Sequence, residues 1–218
     1  MGNRGCDKDP CMKTHRKQYK EFKKLCQLLC IENVCEYSVP LVKSELGPQW
    51  TVMFTRLDSR LFGVPVARAR LYLLAFRNDV LQWASDLTLD DFVAMMSSEC
   101  VMSARNLFWM SAPEKELTNA EAKNLEAYRQ LKDFSFPDLS QYAKNSREHG
   151  RFMQGKELLT AQTLPATRLQ SETCRAPQLA LGNVKASSLP KMAGNSMSVP
   201  CLGCVLLAAI CCIEPIPK

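Results

Sequence analysis

Residues 62–79 read FGVPVARARLYLLAFRND, and this stretch decides the fold. Phe62-Gly63-Val64-Pro65 punctuates a turn, because glycine frees the backbone and proline fixes it. From Arg70 to Arg77 the run RLYLLAFR is apolar and rich in aromatic and branched side chains, which predicts a strand. Arg68 and Arg70 stand one residue apart, so in an extended segment both point to the same face. Two guanidiniums there can form a fork for phosphate or base edges, and solvated arginines at a strand start are the plainer alternative. Upstream, Trp50 to Leu57 (WTVMFTRL) predicts a second strand. Further back, Tyr19, Phe22, Cys26 and Leu29 recur at helical spacing, which predicts an amphipathic helix over 14–29. It leads into Cys30-Ile31-Glu32-Asn33-Val34, a short apolar strand with Glu32 and Asn33 at its carboxyl end, where α/β sheets place functional groups. A surface turn is the alternative for that pair. Helix, strand, strand and turn in this order describe the back half of an α/β sheet.

From Val80 the texture changes. Thr88 with Asp91 and Thr118 with Glu121 fit the capping-box pattern and open helices over 89–97 and 119–133. The chain therefore divides into 1–79, a separate helix-containing insert over 80–150, and a return over 151–218. The return holds a short helix near Gln154 to Thr163, a loop over Pro177 to Pro190, and a Gly194-Asn195-Ser196 turn running into a C-terminal helix. That turn is either a simple N-cap or a means of presenting side chains to a cofactor at a helix N-terminus.

At 46% apolar and 23% charged, the 218 residues exclude a disordered acidic or basic tail protein. The longest apolar stretch, Val199 to Ile213, holds Pro200 and Gly203 and falls short of the roughly 18 residues of a membrane span. It reads as a buried helix, and no membrane partner is expected. The net charge of +6 is concentrated at one end: residues 1–24 hold eight Lys/Arg against three acids. Such a start favours a polyanionic partner, with a solvated helix face as the alternative. Eleven cysteines without an apolar leader in Met1 to Pro10 argue for a reducing, intracellular compartment over a disulfide framework. Cys201 and Cys204 form a CxxC followed by Cys211 and Cys212, yet the surroundings are apolar and offer no His, so no metal site is expected. Positions 201, 204, 208 and 211 share a helical face and read as buried thiols, as do Cys26 and Cys30.

Taken in order, these clusters resemble the C-terminal half of the DNA (cytosine-5) methyltransferases. The ENV motif is matched by Glu32-Asn33-Val34 and the YGVPQxRxR motif by residues 62–79. ELLTAQTLP (157–165) is similar to an ELLxxQGxP element, and GNSMSVP (194–200) to the last motif. The resemblance spans about residues 20–213, with 80–150 in the place of the family's target-recognition region. It implies a Rossmann-like sheet, S-adenosylmethionine as methyl donor, DNA as partner and a nuclear location, with tRNA as substrate in one branch. In such enzymes a cysteine thiolate adds to carbon 6 of a flipped cytosine while a carboxyl group holds a proton at ring nitrogen 3, and the activated carbon 5 takes the methyl group. The resemblance gives Glu32 the carboxyl role, Arg68 and Arg70 a grip on the flipped base, and Asn195 and Ser196 a place against the methyl donor. Asn33 and Pro65 would be architectural.

Two family elements have no match: the FxGxG loop that cradles the methyl donor, and the Pro-Cys nucleophile motif. Pro10-Cys11 is the only candidate ahead of Glu32, which it precedes by 21 residues, and its flanks are unlike the motif. Val66 stands for the motif's Gln, and Thr163 for the Gly of ELLxxQGxP. Two functional classes follow. One is a split or truncated methyltransferase, inactive alone and completed by a separate chain that supplies the N-terminal half; the other is a catalytically dead remnant that binds nucleic acid or a partner enzyme.

Overall fold

The strand expected at Arg70–Arg77 forms with those bounds at the middle of a three-stranded sheet. In the computed structural model, residues 11–101, 104–107, 110, 119, 123 and 153–217 are described. They fall into two compact units, the first comprising 1–57, 69–97 and 202–218, the second 58–68 and 98–201.

In the first unit, α1 (Cys11–Leu25) leads to β1 (Leu28–Asn33), α2 (Val39–Leu46), β2 (Trp50–Leu57) and β3 (Arg70–Arg77). The sheet order is β1-β3-β2, and β3 runs antiparallel to both neighbours. Being central explains its composition: residues 71–76 are all buried, so both faces of the strand are apolar. One face packs Leu29, Trp50, Leu71, Leu73 and Ala75 against Tyr19 of α1 and Leu41, Val42 and Leu46 of α2. Full burial of each such leucine contributes about 2 kcal/mol. Ser38 caps α2, accepting a hydrogen bond from the Leu41 amide at 3.4 Å, and Pro40 sits in its first turn. Two tyrosines pin α1 from within: the Tyr19 and Tyr37 hydroxyls are 2.8 Å apart, and His15 Nδ1 lies 2.9 Å from Tyr37. Burial and that neighbour raise the Tyr19 phenol above its ordinary range.

β4 (Leu81–Trp83) pairs antiparallel with β5 (Ile213–Pro215), and α3 (Leu89–Met96) opens on the Thr88/Asp91 capping box expected from sequence. Residues 80–97, assigned from sequence to the insert, thus lie in the first unit. The helix expected over 119–133 and its Thr118/Glu121 cap lie outside the described residues, except Asn119 and Lys123, both helical.

The second unit is built around Val64, Val66, Leu107, Met153, Leu158, Leu159, Ala166, Leu189 and Ala193. Its helices are α4 (Gly155–Thr160), α5 (Arg168–Cys174) and α6 (Leu189–Asn195); α7 (Val199–Cys212) starts in this unit and continues in the first. Gly155 allows α4 and α6 to touch, since a Cβ there would meet Leu189 Cβ at 2.3 Å. α4 ends in a Schellman motif: the Leu164 amide donates to the Leu159 carbonyl at 3.1 Å and the Thr163 amide to that of Thr160 at 2.7 Å. Thr163 occupies the left-handed position, at φ 58°.

Several expectations need correction. The first helix stops at Leu25, because Leu28 and Leu29 already belong to β1. Cys26 and Cys30 are therefore not on one helix and are only half-buried. On α7, Cys201, Cys204 and Cys212 are buried with Val205, Ala208 and Ala209, whereas Cys211 is exposed. Gly194-Asn195-Ser196 is the end of a helix, three residues before the next begins. By length and composition residues 186–212 are apolar enough to cross a membrane, although the stretch is divided at 196–198 into α6 and α7. Among the described residues, no three His, Cys, Asp or Glu side chains cluster as metal ligands.

Candidate functional site

The carboxyl end of β1 carries Glu32. Register places it opposite Tyr72 of β3, and Tyr72 opposite Thr55 of β2, so the three form one row across one face of the sheet. Arg70, two residues along β3, shares that face. Its Nε lies 3.3 Å from Glu32 Oε1, with both side chains about 15% exposed or less. Arg70 Nη1 also donates to the Ala69 carbonyl at 2.7 Å. The row therefore combines an ion pair near the surface with the buried hydroxyls of Thr55 and Tyr72. The sequence analysis named Glu32 and Arg70 and missed Thr55 and Tyr72; strand alternation could have found both once the register was known. The neighbouring Asn33 accepts from the Val34 amide at 2.9 Å, which commits its side-chain oxygen to the turn.

Arg68 belongs to the second unit and does something other than the fork expected for it. Only 3% exposed, it donates from Nη2 to the carbonyls of Gly194 at 3.0 Å and Ser196 at 2.8 Å. These carbonyls lie at the end of α6, where helices leave acceptors unsatisfied and favour a cation. Through Nη2 this buried guanidinium holds backbone at the end of α6.

That clamp brackets Asn195. Asn195 is exposed, and a Cβ on Gly194 would meet nothing within 4 Å, so the segment offers an amide beside open space. Ser196 Oγ turns back to donate to the Ala193 carbonyl at 2.8 Å. Two further contacts fix the segment from below: the Val199 amide donates to the Gln162 carbonyl at 3.2 Å, and the Ser59 and Ser198 hydroxyls meet at 3.0 Å. Glu157, at the head of ELLTAQTLP, is fully buried and accepts from the amides of Gln154 at 2.7 Å and Met110 at 2.8 Å. It is a structural carboxylate. Pro10 and the Cys11 side chain lie outside the described residues.

This arrangement fits a methyl donor as one wall only. Asn195 and the open Gly194 can face a polar ligand, but the sequence carries no glycine-rich loop to cradle its other end.

No family model and no curated protein matches the chain. Solved structures do. The Dnmt2 methyltransferase of S. pombe is 13% identical with a TM-score of 0.59, over 94% of this chain and 74% of that one. The methyltransferase EhMeth of Entamoeba histolytica is 11% identical with a TM-score of 0.58, over 92% and 68%. A DNMT2 triple mutant from Spodoptera frugiperda is 13% identical with a TM-score of 0.51, over 94% and 73%. The likeness is one of fold: this chain is a mixed α/β protein with the architecture of the Dnmt2-type methyltransferases.

Proposed function

We propose that this chain works as the C-terminal half of a DNA (cytosine-5) methyltransferase. The observation that carries the reading is the Glu32–Arg70 pair, 3.3 Å apart where the carboxyl end of β1 meets the start of the central β3, in a chain with a methyltransferase-like fold. A carboxyl group oriented by a guanidinium can hold a proton at ring nitrogen 3 of a flipped cytosine and accept from its exocyclic amine. Arg70 orients that carboxyl and borders the base. Asn195 and Ser196 line one side of S-adenosylmethionine, which would supply the methyl group for carbon 5, and Arg68 positions both by holding the carbonyls on either side of Asn195. The stretch 80–150 takes the target-recognition role, and the compartment is nuclear.

The nucleophilic thiolate and the rest of the donor site come from an N-terminal half on a separate chain. Two features of the first unit support such a partner. The outer edge of β1 pairs with no strand among the described residues. On α7, Gly203, Leu206, Leu207 and Ile210 form an exposed stripe without a charge. A second reading, a catalytically dead remnant that binds nucleic acid or a partner enzyme, is favoured by the absence of the FxGxG and Pro-Cys motifs.

Isothermal titration of the chain with S-adenosylmethionine, then labelled methyl transfer to unmethylated DNA and to tRNA, separates these. Heat on binding with DNA labelling that disappears in Glu32→Gln supports the enzyme. Labelling of tRNA alone moves the substrate to RNA. Silence in both assays, unrelieved by a polypeptide carrying the two missing motifs, leaves the remnant.

A further inference from the structure

α1 has two unlike faces. Inward it presents Tyr19, held to Tyr37, while Arg16 pairs with Glu45 at 3.1 Å and Lys23 donates to the Glu45 carbonyl at 2.8 Å. Outward it presents Lys13, Lys17, Lys20 and Lys24, all exposed. Their separations of four, three and four residues keep them within an arc of about 60° on a helix of 3.6 residues per turn, spaced about 6, 4.5 and 6 Å along the axis. The single acid of the helix, Glu21, pairs with Lys24 at 3.3 Å. The stripe is thus a row of four like charges, about 16 Å long by the same geometry, on a helix that its other face fixes in place.

We propose that this lysine face docks the phosphodiester backbone of duplex DNA, without reading sequence. Lysine ammoniums are point donors suited to phosphate, and such contacts set position while leaving base edges unread. The face lacks what other polyanions ask for. Single-stranded nucleic acid is gripped by stacking on aromatic side chains, and the exposed aromatic of α1, Phe22, lies on the opposite side from the lysines. A membrane surface needs apolar anchors beside the cations, and none stands within the stripe. A pinned helix also loses little freedom on binding. The choice of DNA over duplex RNA rests on the function proposed above; the lysine contact itself does not.

The test is fluorescence anisotropy of the full chain with a labelled 24-base-pair DNA duplex across a salt series, without methyl donor. Four phosphate contacts give a slope of log affinity against log salt of about −3.6, and Lys17→Ala with Lys20→Ala lowers it by about 1.8. Lys17→Glu with Lys20→Glu weakens binding at least tenfold at low salt, with the far-UV circular dichroism unchanged. An unchanged slope in the alanine pair, or no binding at low salt, overturns the proposal. Tighter binding to duplex RNA of the same sequence, or to anionic vesicles, overturns the choice of DNA. Repeating the titration in the Glu32→Gln chain keeps the two ideas apart. Lysine-dependent binding with no methyl transfer even when a polypeptide carrying the two missing motifs is added defeats the catalytic reading alone, and methyl transfer without lysine dependence defeats this one alone.

Discussion

Replacing Thr163 by glycine should stabilise the protein, although it removes a half-buried side chain and a hydrogen bond. Thr163 closes the Schellman motif of α4 at φ 58°. For a residue with a Cβ that conformation costs about 1–2 kcal/mol, and a β-branched residue sits at the upper end, so relief is worth about 2 kcal/mol. Two terms oppose it. Glycine's extra freedom in the unfolded chain takes back about 0.7 kcal/mol. Loss of the bond that Thr163 Oγ1 donates to the Gln162 carbonyl at 2.7 Å takes back about 0.5 kcal/mol. The net gain is about 0.8 kcal/mol, a rise in melting temperature of about 2–3 °C for a chain of this size. Thr163→Ala is the informative control, because it keeps a Cβ in the left-handed position and still loses the hydroxyl; it should destabilise by about 0.5 kcal/mol. Urea denaturation followed by circular dichroism reads both. A Thr163→Gly protein no more stable than Thr163→Ala would refute the account of strain at this turn. The turn matters to the site because Gln162, the residue before it, takes the Val199 amide and so fixes the segment after Ser196.

Arg68→Lys should lower stability by about 1.5–3 kcal/mol in the same assay, since a compact ammonium cannot reproduce the geometry of a guanidinium serving two carbonyls; a change below about 0.5 kcal/mol would remove the clamp from the argument. Cys30 gives a pH dependence. Burial pushes its thiol up to about 11 from an ordinary 9, so the folded state holds the proton longer than the unfolded chain. The contribution is fully present below pH 9 and fades as pH rises towards 11. Cys30→Ala should flatten stability across that window, and iodoacetamide at pH 8 should label the exposed Cys174 and Cys211 well before Cys30. Equal labelling rates would contradict the burial.

Much of the sheet was legible in the sequence because its signals are local. WTVMFTRL and RLYLLAFR were bounded to the residue, since each is a branched, apolar run between turn-forming residues. The Thr88/Asp91 box marked α3 for the same reason. α2 was missed because Pro40 reads as a breaker, whereas at a helix start its missing amide proton costs nothing. α5 was missed because none of its residues is buried, so it shows no apolar period. The site was legible by residue type and not by arrangement. Glu32 and Arg70 meet because of strand register, and Arg68 turns away because acceptors at the end of α6, more than a hundred residues later, claim it. Neither fact is written within ten residues of the side chains concerned.

The long-range clasps of each unit carry a consequence for how such a chain can change. Arg68 reaches Gly194 across 126 residues and Ser59 reaches Ser198 across 139; in the other unit Gln82 reaches Glu214 across 132. The entropy of closing loops this long grows only logarithmically, so doubling the intervening chain adds about 0.6 kcal/mol. Closure entropy therefore sets little limit on the length of the intervening chain; the limit comes from the core side chains within it, Leu107, Met153, Leu158 and Leu159 among them. Such a layout lets chain length vary wherever no core side chain lies, while a few long-range contacts keep each unit's own distant segments together.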